Sequence, residues 1–530
     1  MTDAPSAPDN SGGRRVADPE TPTEGGAARR ASGAGSFGGS LGWTALGTII
    51  PGLGLWKAGR RIAGGIVLGI FVVVFGGLTV LLLTNRKMVE NAIVGQGVLQ
   101  GLAITLAVVA VLWVAVIGFS HLALRPSHPS VGQRAAGAAV VGLLSFLVAA
   151  PMAVGANLAW TTGTTLDTII GGDEAPNSTQ PTIDPIDPWK NKDRLNFLIL
   201  GGDSGTGRSA SEGDRTDTVI VASIDTHTGA TTLFTLPRNT EKMPFPPDSP
   251  LHKYYPNGFT SGSTDLYTRS QFLLNAMYRV VPTRVPHDVL GKTKDFGASV
   301  LKVSVGYALG LKIDYFVKVN MDGFKDFVNA IGGITVNVNY RIPIGGQTDA
   351  NIKPDGYIEP GPNQHLMGGR ALWYARGRYH LDDYKRMERQ RCVINAVVQQ
   401  TTPATVLANF QAIAAAGQNT ITTDVPRTLL SDLVDLGVKV KGTPLRSVVF
   451  TPGDAGFQSY DPNWPAVRNR VQKALKETAS GVDASATPSA TASATPSGTA
   501  TSSPTPTKSS TAKAKSEDLA DTCGYHPEKP

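Results

Sequence analysis

The sequence predicts an α/β domain with a mixed central β-sheet flanked by helices, preceded by three transmembrane helices. Three observations carry this expectation. Long uncharged apolar stretches follow one another near the N-terminus. From about residue 195, β-branched and aromatic runs alternate with segments of helical periodicity. Glycine pairs and acid–arginine clusters stand at the ends of those runs.

Residues 1–40 are rich in Gly, Ala, Ser, Pro and charge; they cannot bury a core, and a disordered cytoplasmic N-terminus is expected. The membrane region is placed at 41–160, with helices over 62–83, 97–120 and 135–158. Each exceeds the ~20 residues that cross a bilayer. Leu41–Trp56 is also apolar, but Pro51 and several glycines interrupt it, so it reads as interfacial or re-entrant. A cleaved signal peptide is disfavoured by the long basic leader.

The formal net charge is +7, with a pI of about 9.2. Arg14, Arg15, Arg29, Arg30, Lys57, Arg60 and Arg61 all precede the first span, so much of the excess is a topology signal. The loop His121–Arg134 is basic as well, whereas no Lys or Arg follows the third span until Lys190. The N-terminus is therefore expected inside and everything from about Trp160 outside. Arg86 and Lys87 in the intervening outer loop fit this less well.

A Thr/Asp/Pro-rich stalk is expected at 161–192 and a catalytic domain at 193–478. Within it, Asn196–Leu200, Thr218–Ile224 and Thr231–Leu236 read as strands, the last two joined by a hairpin turn at Asp225–Gly229. Phe296–Leu309 has helical periodicity. Tyr315–Asn320 reads as a strand, Gly323–Ala330 as a helix ended by Gly332-Gly333, and Ile334–Asn339 as a further strand. Helices are expected over Leu366–Ala375 and Asp383–Gln400. The Pro- and Gly-rich stretch Glu241–Asp295 is expected to pass over the active face. A Ser/Thr/Ala/Pro-rich linker at 479–518 leads to a C-terminal segment, 519–530, holding Cys523. The other cysteine is Cys392; an extracytoplasmic location favours a Cys392–Cys523 disulfide over two free thiols.

Three charged clusters fall at predicted strand ends, where ligand sites of α/β sheets gather. They are Gly201-Gly202-Asp203, Asp214-Arg215-Thr216-Asp217 and Pro237-Arg238-Asn239-Thr240. A fourth, ALWYARGRYHLDDYKRMERQR at 371–391, holds Arg376, Arg378, Arg386, Arg389 and Arg391. A helix starting near Asp383 puts Asp383, Arg386 and Gln390 on one face. A solvated, salt-bridged helix is the alternative, but Trp373-Tyr374-Ala375 pulls the segment toward a core. Partly buried arginines call for a partner, and phosphate matches the guanidinium fork. Carboxylates nearby would hold a divalent ion, magnesium or manganese. There is no Walker A motif and no Ser-His-Asp arrangement. His380 with Asp382 and Asp383 is either a metal pair or an exposed loop histidine.

These clusters in this order, with LNAMY at Leu274–Tyr278 and GGITVNVNY, resemble the LytR–CpsA–Psr family of cell-wall enzymes over roughly Leu195–Thr401, and more weakly to about residue 475. Composition and the three-span anchor look like an actinobacterial member. The resemblance implies a magnesium-assisted transfer of a glycopolymer from a polyprenyl-pyrophosphate-linked donor to peptidoglycan, leaving a phosphodiester. It implies metal binding by Asp203 and Asp217. It implies pyrophosphate binding by Arg215, Arg238, Arg376 and Arg378, and catalytic roles for Arg215, Arg238, Asp383, Arg386 and Gln390. Two departures stand out. Asn239 replaces a frequent acid, and Leu273-Leu274 replace a frequent lysine, for which His252 or Lys253 is the expected substitute. An apolar groove should accept the lipid; Val300–Leu311 would line it or pack the core. Competing functions are a lipid-linked pyrophosphate hydrolase, a wall-binding scaffold and a transcription regulator. The last lacks a helix-turn-helix, and no nucleic-acid partner is expected.

Overall fold

The computed structural model describes residues 36–84, 97–126, 128–169, 181, 187–204, 214–402, 405, 421–485 and 516–527. Residues 1–35 and most of the 479–518 linker, with the expectations placed on them, lie outside this set. The chain divides into two compact units.

The first unit holds α1 (Phe37–Ile49), α2 (Leu53–Lys57) and much of three long helices, α3 (Arg61–Thr84), α4 (Val98–Leu124) and α5 (Val131–Ile169). These three are long and apolar enough to cross a membrane. Ile62, Val73 and Val111 leave their side chains exposed, as lipid-facing positions do. Pro51 separates α1 from α2, so Leu41–Trp56 forms two short helices; the Trp113 indole N–H donates to the Thr48 carbonyl at 3.0 Å. The third long helix continues past Leu158 to Ile169, so the first part of the expected stalk is helical.

The second unit is built on a seven-stranded mixed sheet. Its strands are β1 (Arg194–Gly202), β2 (Thr216–Asp225), β3 (Thr231–Thr235), β4 (Tyr315–Val319), β9 (Ile421–Thr423), β10 (Leu445–Val449) and β11 (Glu517–Asp518), in the spatial order β11-β10-β3-β2-β1-β4-β9. The pairs β1–β4 and β3–β10 are parallel and the others antiparallel. The β2–β3 hairpin closes where expected. Asp225 Oδ1 accepts the amides of His227 and Thr228 at 3.0 and 2.8 Å, and Gly229 takes φ 81°, which glycine reaches without strain.

Helices cover both faces. On one side lie α7 (Leu274–Val280), α8 (Phe296–Leu309) and α13 (Trp464–Ser485), packed on Leu198, Val221, Phe234 and Phe316. Asp295 caps α8 by accepting the Ala298 amide, and Gly310 ends it in the left-handed region. On the other side lie α11 (Asp383–Gln400) and α12 (Leu430–Lys441), with α10 (Gly368–Arg376) packed against α11. There Ile220, Ala222 and Leu233 pack with Ile394 and Val398 of α11.

Three expectations are settled here, the second of them by a correction. First, Ile334–Asn339 does form a strand, β5 (Ile334–Val338), but outside the central sheet: it pairs with β8 (Gly361–Leu366) around a second small core with α9 (Met321–Ala330). A further hairpin, β6 (Ile342–Gln347) with β7 (Ile352–Ile358), stands beside it. Second, the stretch 241–295, with α6 (Leu266–Ser270) and α7, is mainly core rather than an excursion, and it meets the active face through Asn275 of α7. Its Met243, Phe245, Leu251, Tyr255, Phe259 and Phe272 are buried in the α7–α8–α13 core, because so apolar a set is more stable out of water. Third, Val300–Leu311 packs that same core, the role the sequence favoured for it over a groove.

The C-terminus returns to the sheet. β11 pairs with β10, Leu519 at the start of α14 (Leu519–Thr522) is fully buried, and Glu517 meets Arg391 at 2.9 Å. A disulfide joins Cys523 to Cys392 of α11, with the Cα atoms 5.5 Å apart.

Candidate active site

The ends of β1, β2 and β3 bring the first three clusters together, and the start of α11 brings the fourth. Arg238, just beyond β3, donates through Nη1 to Asp217 Oδ2 at 2.9 Å, and its Nε lies 3.5 Å from Asp383 Oδ1. Arg386, one turn into α11, grips Asp383 with two bonds of 3.0 and 3.1 Å and donates to the Asp217 carbonyl at 3.1 Å. The four side chains alternate in charge. Asn275 of α7 completes the ring by donating to Asp217 Oδ1 at 3.0 Å. Asp203 is held from the other side: its Oδ1 accepts the Arg215 amide at 2.9 Å and its own amide donates to the Arg215 carbonyl at 3.0 Å.

The electrostatics follow from this packing. Burial pushes the Asp217 carboxyl up, but Arg238, Asn275 and Arg386 together outweigh it and hold the group below the usual carboxylate range. Burial lowers the Arg386 pKa against the opposing pull of Asp383; a guanidinium stays charged even so. A group whose folded pKa is depressed contributes stability above its unfolded pKa and loses it as pH falls through the folded value. Asp217 therefore contributes to an acid limb below about pH 4. In denaturant titrations from pH 7 to pH 3, Asp217→Asn should be less stable at pH 7 and show a flatter acid limb.

A cavity of about 820 Å³ opens beside this cluster. Asp203, Asp217, Arg238, Asp383, Arg386 and Gln390 line it, as do Arg376 and Arg378. Gln390 Oε1 is buried there without a hydrogen-bond partner. Arg376 lies over the Trp373 ring at 4.8 Å, while Arg378 is exposed at the rim. Behind the charges the wall is apolar, with Ile199, Ile220, Phe324, Leu372, Val393 and Ile394. Residues 345–350, at the tip of the β6–β7 hairpin, form another wall.

Not every expected residue arrives. Arg215 does not line the cavity; its backbone holds Asp203. Arg389 and Arg391 point elsewhere. Arg389 donates to the carbonyls of Tyr374 and Gly377 and so ties α10 to α11, and Arg391 serves Glu517. Neither His252 nor Lys253 lines the cavity; both lie in the short helix Pro250–Lys253, anchored by Leu251 in the α7–α8–α13 core. His380 is an exposed rim residue, and among the described residues no group of three or more metal-ligating side chains is present.

The sequence profile of the LytR_cpsA_psr family matches residues 167–452, more than half of the chain. The chain belongs to this family. Among relatives of the LytR–CpsA–Psr chain is the polyisoprenyl-teichoic acid–peptidoglycan teichoic acid transferase TagU of Enterococcus faecalis. It is 28% identical over 346 residues, 64% of this chain and 95% of the relative. A Bacillus cereus protein of the same name is 30% identical over 171 residues, covering 30% of this chain and 53% of that one. Protein gbs0355 of Streptococcus agalactiae, a solved structure, is 25% identical with a TM-score of 0.39, covering 53% of this chain and 88% of its own. These sources make the assignment broader than the actinobacterial type that composition pointed to.

The family implies a divalent metal, and the donor set suits one. Asp203 and Asp217 face one cavity, and Asp217 is ionised; its oxygens, engaged by Arg238 and Asn275, keep second lone pairs. Two carboxylates fit magnesium, which keeps waters and takes further ligands from a bound phosphate. They do not make a closed cage.

Proposed function

We propose that this LytR–CpsA–Psr protein is a phosphotransferase that ligates a glycopolymer from a polyprenyl-pyrophosphate carrier to peptidoglycan. The observation that carries the reading is that one cavity combines an apolar interior with an arginine-lined side. A carrier lipid offers the same division: an isoprenoid chain beside a pyrophosphate. The names of the Enterococcus and Bacillus relatives support the same chemistry. In the reaction, an acceptor hydroxyl oxygen bonds to the glycan-side phosphorus and gives up its proton to solvent, the P–O–P bridge breaks, and polyprenyl phosphate leaves.

The chain's own residues divide the work. Arg238 and Arg386 spread positive charge along one side of the cavity, and Arg376 and Arg378 extend it to the rim, so charge building on the phosphoryl oxygens is met by fixed donors. Asp383 orients both inner guanidinium groups, and the unpartnered Gln390 oxygen, which can only accept, suits a hydroxyl or water rather than a phosphate oxygen. Asp203 and Asp217 would hold magnesium or manganese, which when bound neutralises pyrophosphate charge. The three apolar helices tether the protein to the bilayer carrying the donor, which raises the effective concentration of the pair. With the basic N-terminus inside, three crossings put the catalytic domain outside the cytoplasm.

The test supplies full-length protein in detergent with a synthetic polyprenyl-pyrophosphate donor bearing a radiolabelled glycan, with peptidoglycan as acceptor. Label should enter peptidoglycan with magnesium and fail to do so with a chelator. Release of soluble phosphorylated glycan instead would make the protein a hydrolase. Donor left intact would make it a binding protein.

A further inference from the structure

A half-buried chain of polar groups lies behind the carboxylates, and none of its four residues lines the cavity. Lys318 of β4 sits opposite Leu200 of β1 in the sheet register. Its ammonium lies 2.6 Å from Asp214 Oδ2 and donates to the Tyr278 hydroxyl at 2.6 Å, 4.2 Å from the Tyr278 ring centroid. The Tyr278 hydroxyl in turn donates to Asp295 Oδ2 at 2.7 Å. Asp295 is anchored already, because its other oxygen caps α8. Burial, and then Asp295, hold the Tyr278 hydroxyl protonated far above the usual phenol range, so it serves as a fixed donor.

The free end of this chain is Asp214, directly before Arg215. Its Oδ1 is buried without a hydrogen-bond partner and presses on the β1 terminus: a Cβ on Gly202 would stand 2.8 Å from it. A carboxylate tolerates that position only if its other oxygen is strongly held, and Lys318 holds it. Arg215 then clamps Asp203 through two backbone bonds, and two residues on stands Asp217. Tyr278 follows Asn275, the Asp217 donor, by one turn of α7, so the same helix braces both ends of the segment.

We propose that Lys318 is a positioning residue: by holding Asp214 against Tyr278 and Asp295, it locks the first residues of β2 and so fixes Asp203 and Asp217 toward the bound pyrophosphate. The functional half of this statement rests on the transferase reading; the structural half does not. Two measurements separate them. Hydrogen exchange of the peptide spanning Asp214–Thr218 in the full-length protein should be about tenfold faster in Lys318→Met and close to wild type in Lys318→Arg. In the transfer assay, Lys318→Met should lower kcat by up to about a hundredfold with a smaller change in donor KM, and Lys318→Arg should recover most of it. Tyr278→Phe, which keeps the ring, should give a weaker version of both and serves if Lys318→Met does not fold. Unchanged exchange in Lys318→Met, or in Tyr278→Phe if it alone folds, overturns the proposal. So does faster exchange with kcat and KM intact, which would make Lys318 a stability residue only. Faster exchange in a protein whose wild type transfers nothing would overturn the transferase reading and leave the lock in place.

Discussion

Arg238→Ala is expected to lower kcat/KM for glycan transfer by about 100- to 1,000-fold while the domain stays folded. The guanidinium bridges two carboxylates, with 2.9 Å to Asp217 and 3.5 Å to Asp383, and still lines the cavity. Truncation has two effects of the same sign. A fixed positive charge disappears where phosphoryl oxygens gain charge. Asp217 and Asp383 also lose a counter-ion and become repulsive toward an anionic donor. Arg238→Lys keeps the charge but not the fork that spans both carboxylates, so it should fall between Ala and wild type. Single-turnover and steady-state assays on the same donor, with circular dichroism as the folding control, decide the matter. A variant with wild-type kcat/KM would remove Arg238 from the chemistry and with it the assignment of the cavity.

Cys523→Ser should have the largest effect on stability. The disulfide spans 131 residues, and closing a loop of that length in the unfolded chain is worth about 4 to 5 kcal/mol on the chain-entropy account. The melting temperature should fall by on the order of 10 °C. Without the bond, the short C-terminal segment keeps the β10–β11 pairing, the burial of Leu519, the Glu517–Arg391 contact and hydrogen bonds to Asn337, Asn339, Arg446 and Glu477. Its detachment would expose the edge of β10. Dithiothreitol should reproduce the shift in the wild type and leave Cys523→Ser unmoved. Equal melting temperatures with and without reductant would mean that the bond constrains nothing.

Much of this molecule is legible without coordinates because its signals are local. Apolar runs of full membrane length, the NFLIL strand before Gly201-Gly202, the Asp225–Gly229 turn and the Asp383 helix start each rest on neighbouring residues. The charged clusters could be brought together because strand ends in such sheets converge. What escaped depends on distant packing. Charge alone did not tell that Arg389 and Arg391 turn away from the cavity, because all five arginines of the segment lie within two helices and their connection. Asn275 stood in plain view within LNAMY, yet its role exists only because α7 packs over the end of β2. The Asp214–Lys318–Tyr278–Asp295 chain joins four separate segments and leaves no periodic trace. The β6–β7 wall did have a marker in Gly345-Gly346, both with positive φ, at the hairpin's register shift.

The return of the C-terminus to α11 makes the polypeptide a covalent ring from Cys392 to Cys523. The Ser/Thr/Ala/Pro tract lies inside that ring. A protease that nicks the tract once therefore releases nothing: the two pieces travel as one molecule on a non-reducing gel and separate only when thiol is added. A single cut in that tract thus leaves the protein in one piece.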